Sequence, residues 1–287
     1  MRDRAMFTIV PSRKTIADPM MAAARAPRDE DVTGPSVGRP AGDRDIEARL
    51  QSMSGPVALI GAGEFLPGMA SLDRLLLDGI SRSRPRVVIL PTASAPDGEA
   101  VFRGWAEMGR AHFAALGAEV ECVLVRNVEE GFDAAALQAI GEADLVYLSG
   151  GKPDHLRSVL TGSPLGAAIR TAHARGAVIA GCSAGAMAIA EVQADLRRRR
   201  LPWPIRWTAG ASLVPGVVVL PHYDAWPETI LALMVLQAPR HLVVLGIDED
   251  TGVVARDGHC QVHGRGRVTV WRRRRRERYR RGESFRI

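Results

Sequence analysis

Five short apolar runs set the frame for this chain: Val57–Ile60, Arg86–Leu90, Val120–Val125, Leu145–Leu148 and Val178–Cys182. Each is rich in Val, Ile or Leu and too short to be a buried helix, as strands are when both faces of a sheet are covered. Between them, Leu72–Ile80, Ala100–Leu116, Ala134–Ile140 and Leu165–Arg175 carry apolar residues at helical spacing, and Gly117 and Gly176 close two of them. Repeated strand-then-helix order predicts an α/β fold with a doubly wound, mostly parallel sheet flanked by helices. Ligands of such sheets bind at the carboxyl ends of the strands. Beyond Cys182 the pattern changes. Val217–Leu220 and Val243–Ile247 read as strands around a helix at Ile230–Val235. Val253–Ala255, Gly258–His263 and Arg267–Val270 then read as a small C-terminal antiparallel ribbon, with turns at Asp257–Gly258 and Gly264–Gly266.

Residues 55–271 are therefore assigned to one α/β domain, and a hydrophobic content of 46% is enough to give it a core. Residues 1–54 are rich in Pro, Gly, Arg and Asp, with a helical pattern only at Arg44–Met53, and are read as a disordered N-terminal extension. Met53, just ahead of the first strand, is a candidate native start. The net charge of +6 is concentrated at the other end. From Trp271 onward nine arginines and two glutamates give +7, which leaves −1 for the rest of the chain. Residues 272–287 are read as a basic, disordered tail. Such a run attracts phosphate, but Tyr279 and Phe285 are isolated and give no stacking platform, so nucleic acid is not an expected partner. The run Arg197–Arg200 is read as a solvated helix end. No apolar run reaches the ~20 residues of a bilayer span, and no secretory signal is read at the start. Three widely spaced cysteines, Cys122, Cys182 and Cys260, make neither a metal motif nor a disulfide framework, which fits a cytoplasmic protein without a cofactor or metal.

The chemistry centres on Gly181–Cys182–Ser183–Ala184–Gly185, a G-x-S-x-G pattern that follows an apolar strand and precedes helix-forming residues. In a nucleophile elbow the serine sits at the apex of a strand-to-helix reversal, and Gly181 and Gly185 leave room where Cβ atoms would crowd the turn. The same pattern also suits a glycine-rich turn with a capping serine. A serine hydroxyl needs a base within reach and a group to orient that base. Among seven histidines, His222 stands out, because it ends the strand Val217–Leu220 on the sheet edge expected to carry Ser183. Glu249, between Asp248 and Asp250, ends the next strand and is the candidate acid; an ordinary acidic turn has the same composition.

Taken in order, these segments resemble the dipeptidase E and cyanophycinase family of serine peptidases. The resemblance rests on Gly61–Ala62–Gly63–Glu64, Ser149–Gly150–Gly151 with Leu156 downstream, Gly181 to Ala186, His222 behind Pro215 to Pro221, and Gly246 to Thr251, and it covers about Val57 to Val270. It implies a fold similar to class I glutamine amidotransferases, a Ser183–His222–Glu249 triad, an oxyanion site from the N–H groups of Gly151 and Ala184, and hydrolysis of a peptide or isopeptide bond in a small substrate through an acyl-enzyme. Gly150, Lys152, Glu64, Tyr223 and Asp224 are the candidate substrate-binding residues. Cyanophycinases carry several arginines after the catalytic histidine. Here Asp224 and Glu228 stand in that stretch, and Lys152 replaces the usual Asp or Asn after the glycine pair. These changes turn the expected substrate away from cyanophycin and from strictly aspartyl dipeptides; the two acids would suit a basic or amino-terminal group, or are ordinary surface residues. A homodimer is left open. A catalytically inactive amidotransferase-like binding protein, and a nucleic-acid-interacting protein using the arginine run, are the alternative classes.

Overall fold

The structure, a computed structural model, describes residues 55–195, 204–273 and 275–287. The proposed N-terminal extension, the candidate start at Met53 and the Arg197–Arg200 run lie outside the described residues.

The strands are β1 (Val57–Ile60), β2 (Arg86–Leu90), β3 (Glu119–Cys122), β4 (Leu145–Leu148), β5 (Val178–Cys182), β6 (Val192–Ala194), β7 (Trp207–Ala209), β8 (Val217–Leu220), β9 (Val243–Ile247), β10 (Thr251–Arg256), β11 (His259–Gly264), β12 (Arg267–Arg272), β13 (Arg275–Arg280) and β14 (Ser284–Arg286). The helices are α1 (Ala70–Asp78), α2 (Glu99–Ala115), α3 (Ala134–Glu142), α4 (Pro153–Gly162), α5 (Leu165–Ala174), α6 (Ala184–Ile189) and α7 (Glu228–Gln237). The main sheet runs β14-β11-β10-β1-β5-β4-β2-β3. Its strands from β1 to β3 are parallel, and β10, β11 and β14 extend it antiparallel. The strand period of two divides the side chains between two cores. Val57, Leu59, Val88, Leu90, Val146 and Leu148 face one, while Ala58, Ile60, Val87, Ile89 and Tyr147 face the other. Helices α1 and α2 cover the second face with Leu72, Leu76 and Phe113; α4 and α5 cover the first with Leu156, Val159 and Ile169.

Most sequence-defined strands stand where they were read, with four differences. First, β8 and β9 are parallel partners in a separate four-stranded sheet, β13-β12-β9-β8. Val217, Val219, Leu245 and Ile247 pack from this sheet onto the first core, and Val218, Leu220 and Val244 pack onto α7. His222 is therefore not on the Ser183 sheet edge; it ends a strand of the neighbouring layer. Second, the C-terminal ribbon is divided. β10 and β11 stay with the main sheet, while β12 crosses to pair with β9.

Third, within the expected disordered tail the described residues 275–287 carry two strands. β13 pairs with β12 through Arg280, and β14 pairs with β11. Phe285 is buried, its ring 4.8 Å from that of Tyr279, and Glu277 takes ion pairs from Arg272 and Arg275. Arginine density hides the period-two pattern: Glu277 and Tyr279 alternate with arginines whose charged heads reach solvent. The third strand is also shorter than expected. β3 is an edge strand with exposed Glu119 and Glu121, and pairing stops at Cys122. The domain thus extends past 271 to the last described strand.

Candidate active site

Ser183 follows β5 directly, with φ 48° and ψ −110°, a conformation L-residues rarely adopt. The neighbours enforce it. Ser183 N–H donates to Ile60 O (2.9 Å), and Met187 N–H donates to Ser183 O (3.1 Å). A Cβ at Gly181 would lie 2.8 Å from Ala186 N, and one at Gly185 would collide with the Leu148 carbonyl. The two glycines of the motif thus let the elbow close against its own helix and against β4. Cys182 points the other way, into the core, where burial pushes its thiol well above the usual range. A buried, protonated thiol is not a competing nucleophile.

His222 follows β8 in the left-handed region, φ 49° and ψ 37°. This turns the ring back across the gap between the two sheets. Its Nε2 lies 2.9 Å from Ser183 Oγ, and its Nδ1 lies 2.9 Å from Glu249 Oε1. Glu249 sits in the β9–β10 turn, and its backbone N–H donates to Asp224 Oδ1 (2.9 Å). The flanking acids are committed elsewhere. Asp248 accepts from Arg267 N (2.9 Å), with its carboxyl pushed up by burial, and Asp250 pairs with Arg265 (2.7 Å). Of the three acids in this turn, Glu249 is the one that meets the ring.

The glycine turn after β4 lies beside the elbow. Gly151 has φ 140°, and a Cβ there would collide with Ala93 O, so no other residue fits. Lys152 N–H donates to that same Ala93 O (2.7 Å), and its ammonium pairs with Asp97 (3.2 Å). The remaining candidate substrate contacts have internal partners. Gly150 N–H donates to Glu64 Oε1 (2.7 Å), and Glu64 is buried. Tyr223 is buried too; its hydroxyl accepts from Trp271 Nε1 (2.9 Å), and its ring lies against Gly246, where a Cβ would strike it. Glu64, Gly150 and Tyr223 therefore support the site from within, while the exposed Asp224 holds the Glu249 backbone at the surface. Trp271 and Asp97 were not singled out from sequence; they lie 48 residues from Tyr223 and 55 from Lys152 along the chain, and no local pattern marks them. Gly246 did carry a signal, a glycine inside an apolar strand, which marks a close approach.

Among the described residues, no group of three or more His, Cys, Asp or Glu side chains is arranged to hold a metal ion, and no helix is long and apolar enough to cross a membrane.

Comparison with known proteins identifies the family and the fold. The model of Peptidase family S51 matches residues 57–263. The chain is similar to a peptidase from an acI-B1 Actinobacterium, whose crystal structure superposes with a TM-score of 0.73 at 29% identity, covering 83% of this chain and 98% of that one. A putative Peptidase E protein from Listeria monocytogenes EGD-e shares the fold, with a TM-score of 0.52 at 17% identity over 74% of this chain and 99% of that one. With an elbow serine, and a family match over most of the described chain, this protein belongs to peptidase family S51, the dipeptidase E and cyanophycinase family of serine peptidases.

Proposed function

We propose that the protein cleaves a peptide or isopeptide bond in a small peptide-like substrate through a Ser183–His222–Glu249 triad and an acyl-enzyme. The observation that carries this reading is the continuous chain of two 2.9 Å contacts from Glu249 to His222 to Ser183. Glu249 accepts the Nδ1–H of His222, which fixes the tautomer and leaves Nε2 free to accept the serine proton. Ser183 Oγ attacks the carbonyl carbon as Nε2 takes the proton. The tetrahedral oxyanion is held by the N–H groups of Ala184 and Gly151. The Nε2 proton then passes to the leaving amine, the C–N bond breaks, and an ester to Ser183 remains. Water attacks that ester by the same route, giving the free carboxylate and restoring the serine. The strained φ and ψ of Ser183 keep Oγ out of the helix and aimed at the ring.

Substrate choice falls to the rim of the site. Lys152, at the edge of the glycine turn and paired with Asp97, and the exposed Asp224 are the candidates that reach this rim. An alkyl fluorophosphonate, which phosphonylates activated serines, tests the proposal. Wild type is expected to label and Ser183→Ala not to. His222→Ala is expected to slow labelling by roughly 10³-fold or more. Equal labelling of wild type and Ser183→Ala would end the triad reading. A dipeptide and isopeptide hydrolysis screen with the same variants then identifies the bond.

A further inference from the structure

Glu64 is 5% exposed, and both of its carboxylate oxygens are engaged inside the molecule. Oε1 accepts the Gly150 N–H at 2.7 Å, and Oε2 accepts the Cys182 thiol at 2.9 Å. The two donors occupy equivalent places. Gly150 immediately precedes Gly151, the glycine assigned to the oxyanion site, and Cys182 immediately precedes Ser183. We infer that Glu64 is a positioning residue for hydrolysis: its carboxylate clamps the turn after β4 to the base of the elbow after β5, and so sets the spacing between the Gly151 N–H and Ser183 Oγ. This inference rests on the reading of Ser183 as nucleophile and Gly151 as oxyanion donor.

The surroundings favour a clamp over a simple core contact. A Cβ on Gly150 would lie 2.7 Å from Glu64 Oε1 and 3.4 Å from Ser183 Cβ, so the turn passes close to both the carboxylate and the elbow. A carboxylate suits two donors because each oxygen offers lone pairs and neither carries a hydrogen. Burial keeps the Cys182 thiol protonated, so it stays a donor across the working pH range. The loop that carries Glu64 is itself braced on both sides. Ile60 O accepts from Ser183 N (2.9 Å), Gly61 N–H donates to Thr251 O (2.9 Å), and Asp250 N–H donates to Ala62 O (3.2 Å). One segment, Ile60 to Glu64, thereby touches the nucleophile, the glycine turn and the strand end beside Glu249. Since the oxyanion forms only during reaction, a misplaced Gly151 N–H lowers turnover and leaves ground-state binding largely intact.

The test compares Glu64→Gln, Glu64→Met and Cys182→Ala in the full chain. Gln keeps one acceptor for Gly150, so its fluorophosphonate labelling rate is expected within about tenfold of wild type. Met keeps the volume and removes both acceptors. Its labelling rate is expected to fall roughly 10²-fold, with KM for a hydrolysed peptide changed by less than about threefold. Cys182→Ala is expected to fall between them, and to add little in the Glu64→Met background, because both act through one carboxylate. Hydrogen exchange of the peptide spanning residues 149–152 gives a readout independent of catalysis. It is expected to quicken in Glu64→Met while β2 and α2 keep their protection. A folded Glu64→Met protein with wild-type labelling and unchanged exchange at 149–152 would overturn the clamp. Should Glu64→Met not fold, Cys182→Ala decides: a wild-type labelling rate in that variant overturns the clamp. Absence of labelling in the wild type would instead count against the Ser183 reading, and the exchange comparison would still decide the clamp.

Discussion

At the residue scale, the parts of the site that were legible are those written into one short stretch of chain. Ser183 announces itself through Gly181 and Gly185, since only glycine fits positions where a Cβ would strike Ala186 N or Leu148 O. His222 and Glu249 each end an apolar strand, and the structure places both within 2.9 Å of their partners. Tyr223 and Asp224 were read as substrate contacts beside His222, and Glu64 from the resemblance carried by Gly61–Ala62–Gly63–Glu64. Their polar atoms are occupied by Trp271, by the Glu249 backbone, and by Gly150 and Cys182, partners 25 to 118 residues distant. Sequence proximity says that a side chain is near a site; it does not say which donor its oxygen has already taken. This yields a discriminating expectation for Asp224→Ala. If the carboxylate holds the Glu249 loop, kcat falls about tenfold and KM stays within about twofold for every substrate. A KM rise confined to substrates with a basic or amino-terminal group would instead restore Asp224 as a specificity residue. Steady-state kinetics on a basic and a neutral peptide decide between the two.

At the scale of elements, the parallel strands were readable because burial on both faces makes them continuous apolar runs, and β1, β2, β4 and β5 have the limits their sequences suggest. Which sheet a strand joins was not readable. β8 is as apolar as β4, and nothing in Val217–Leu220 says that its partner is β9 alone. The last two strands were missed for another reason. Arginine at alternate positions erases the hydropathy contrast that normally marks a half-buried strand, so only Tyr279, Phe285 and Trp271 betray it. Ending the chain after Arg273 would remove β13 and β14, expose the edges of β11 and β12, and uncover the core around Cys260 and Val270. Loss of the Phe285 side chain alone is worth roughly 1.5–3 kcal/mol of burial. The truncated protein is expected to melt at least about 5 °C lower and to aggregate more readily. Scanning calorimetry and light scattering check this; an unchanged melting temperature would return the segment to the status of a tail.

For the whole molecule, the buried His173 and the half-buried His263 tie stability to pH. His173 sits in the last turn of α5, with Nε2 2.8 Å from Gly55 O, and burial holds its pKa below the ordinary value. His263 on β11 is lowered by burial and by the nearby Arg281. In the unfolded chain both titrate near 6.5. As pH falls below that value the unfolded state takes up protons that the folded state refuses, so unfolding is favoured. The contribution is complete above about pH 6.5 and declines as pH drops toward the lowered folded values. Melting temperature is accordingly expected to fall between about pH 7 and 5, and His173→Gln, which keeps an N–H for Gly55 O, is expected to flatten the slope. Equal slopes for the variant and the wild type would remove His173 from this account.

The division of the strands between two sheets has a consequence for what hydrolysis reports. The hydroxyl belongs to one layer and the imidazole to the other, with the carboxylate on the turn that joins β9 of the second layer to β10 of the first. A slip of an ångström or so between the layers parts donor from acceptor, yet neither ladder of backbone bonds need break. Turnover is thus a finer gauge of the molecule's cohesion than its helical or strand content, and a small molecule wedged into the seam would silence the enzyme without occupying the place where substrate sits.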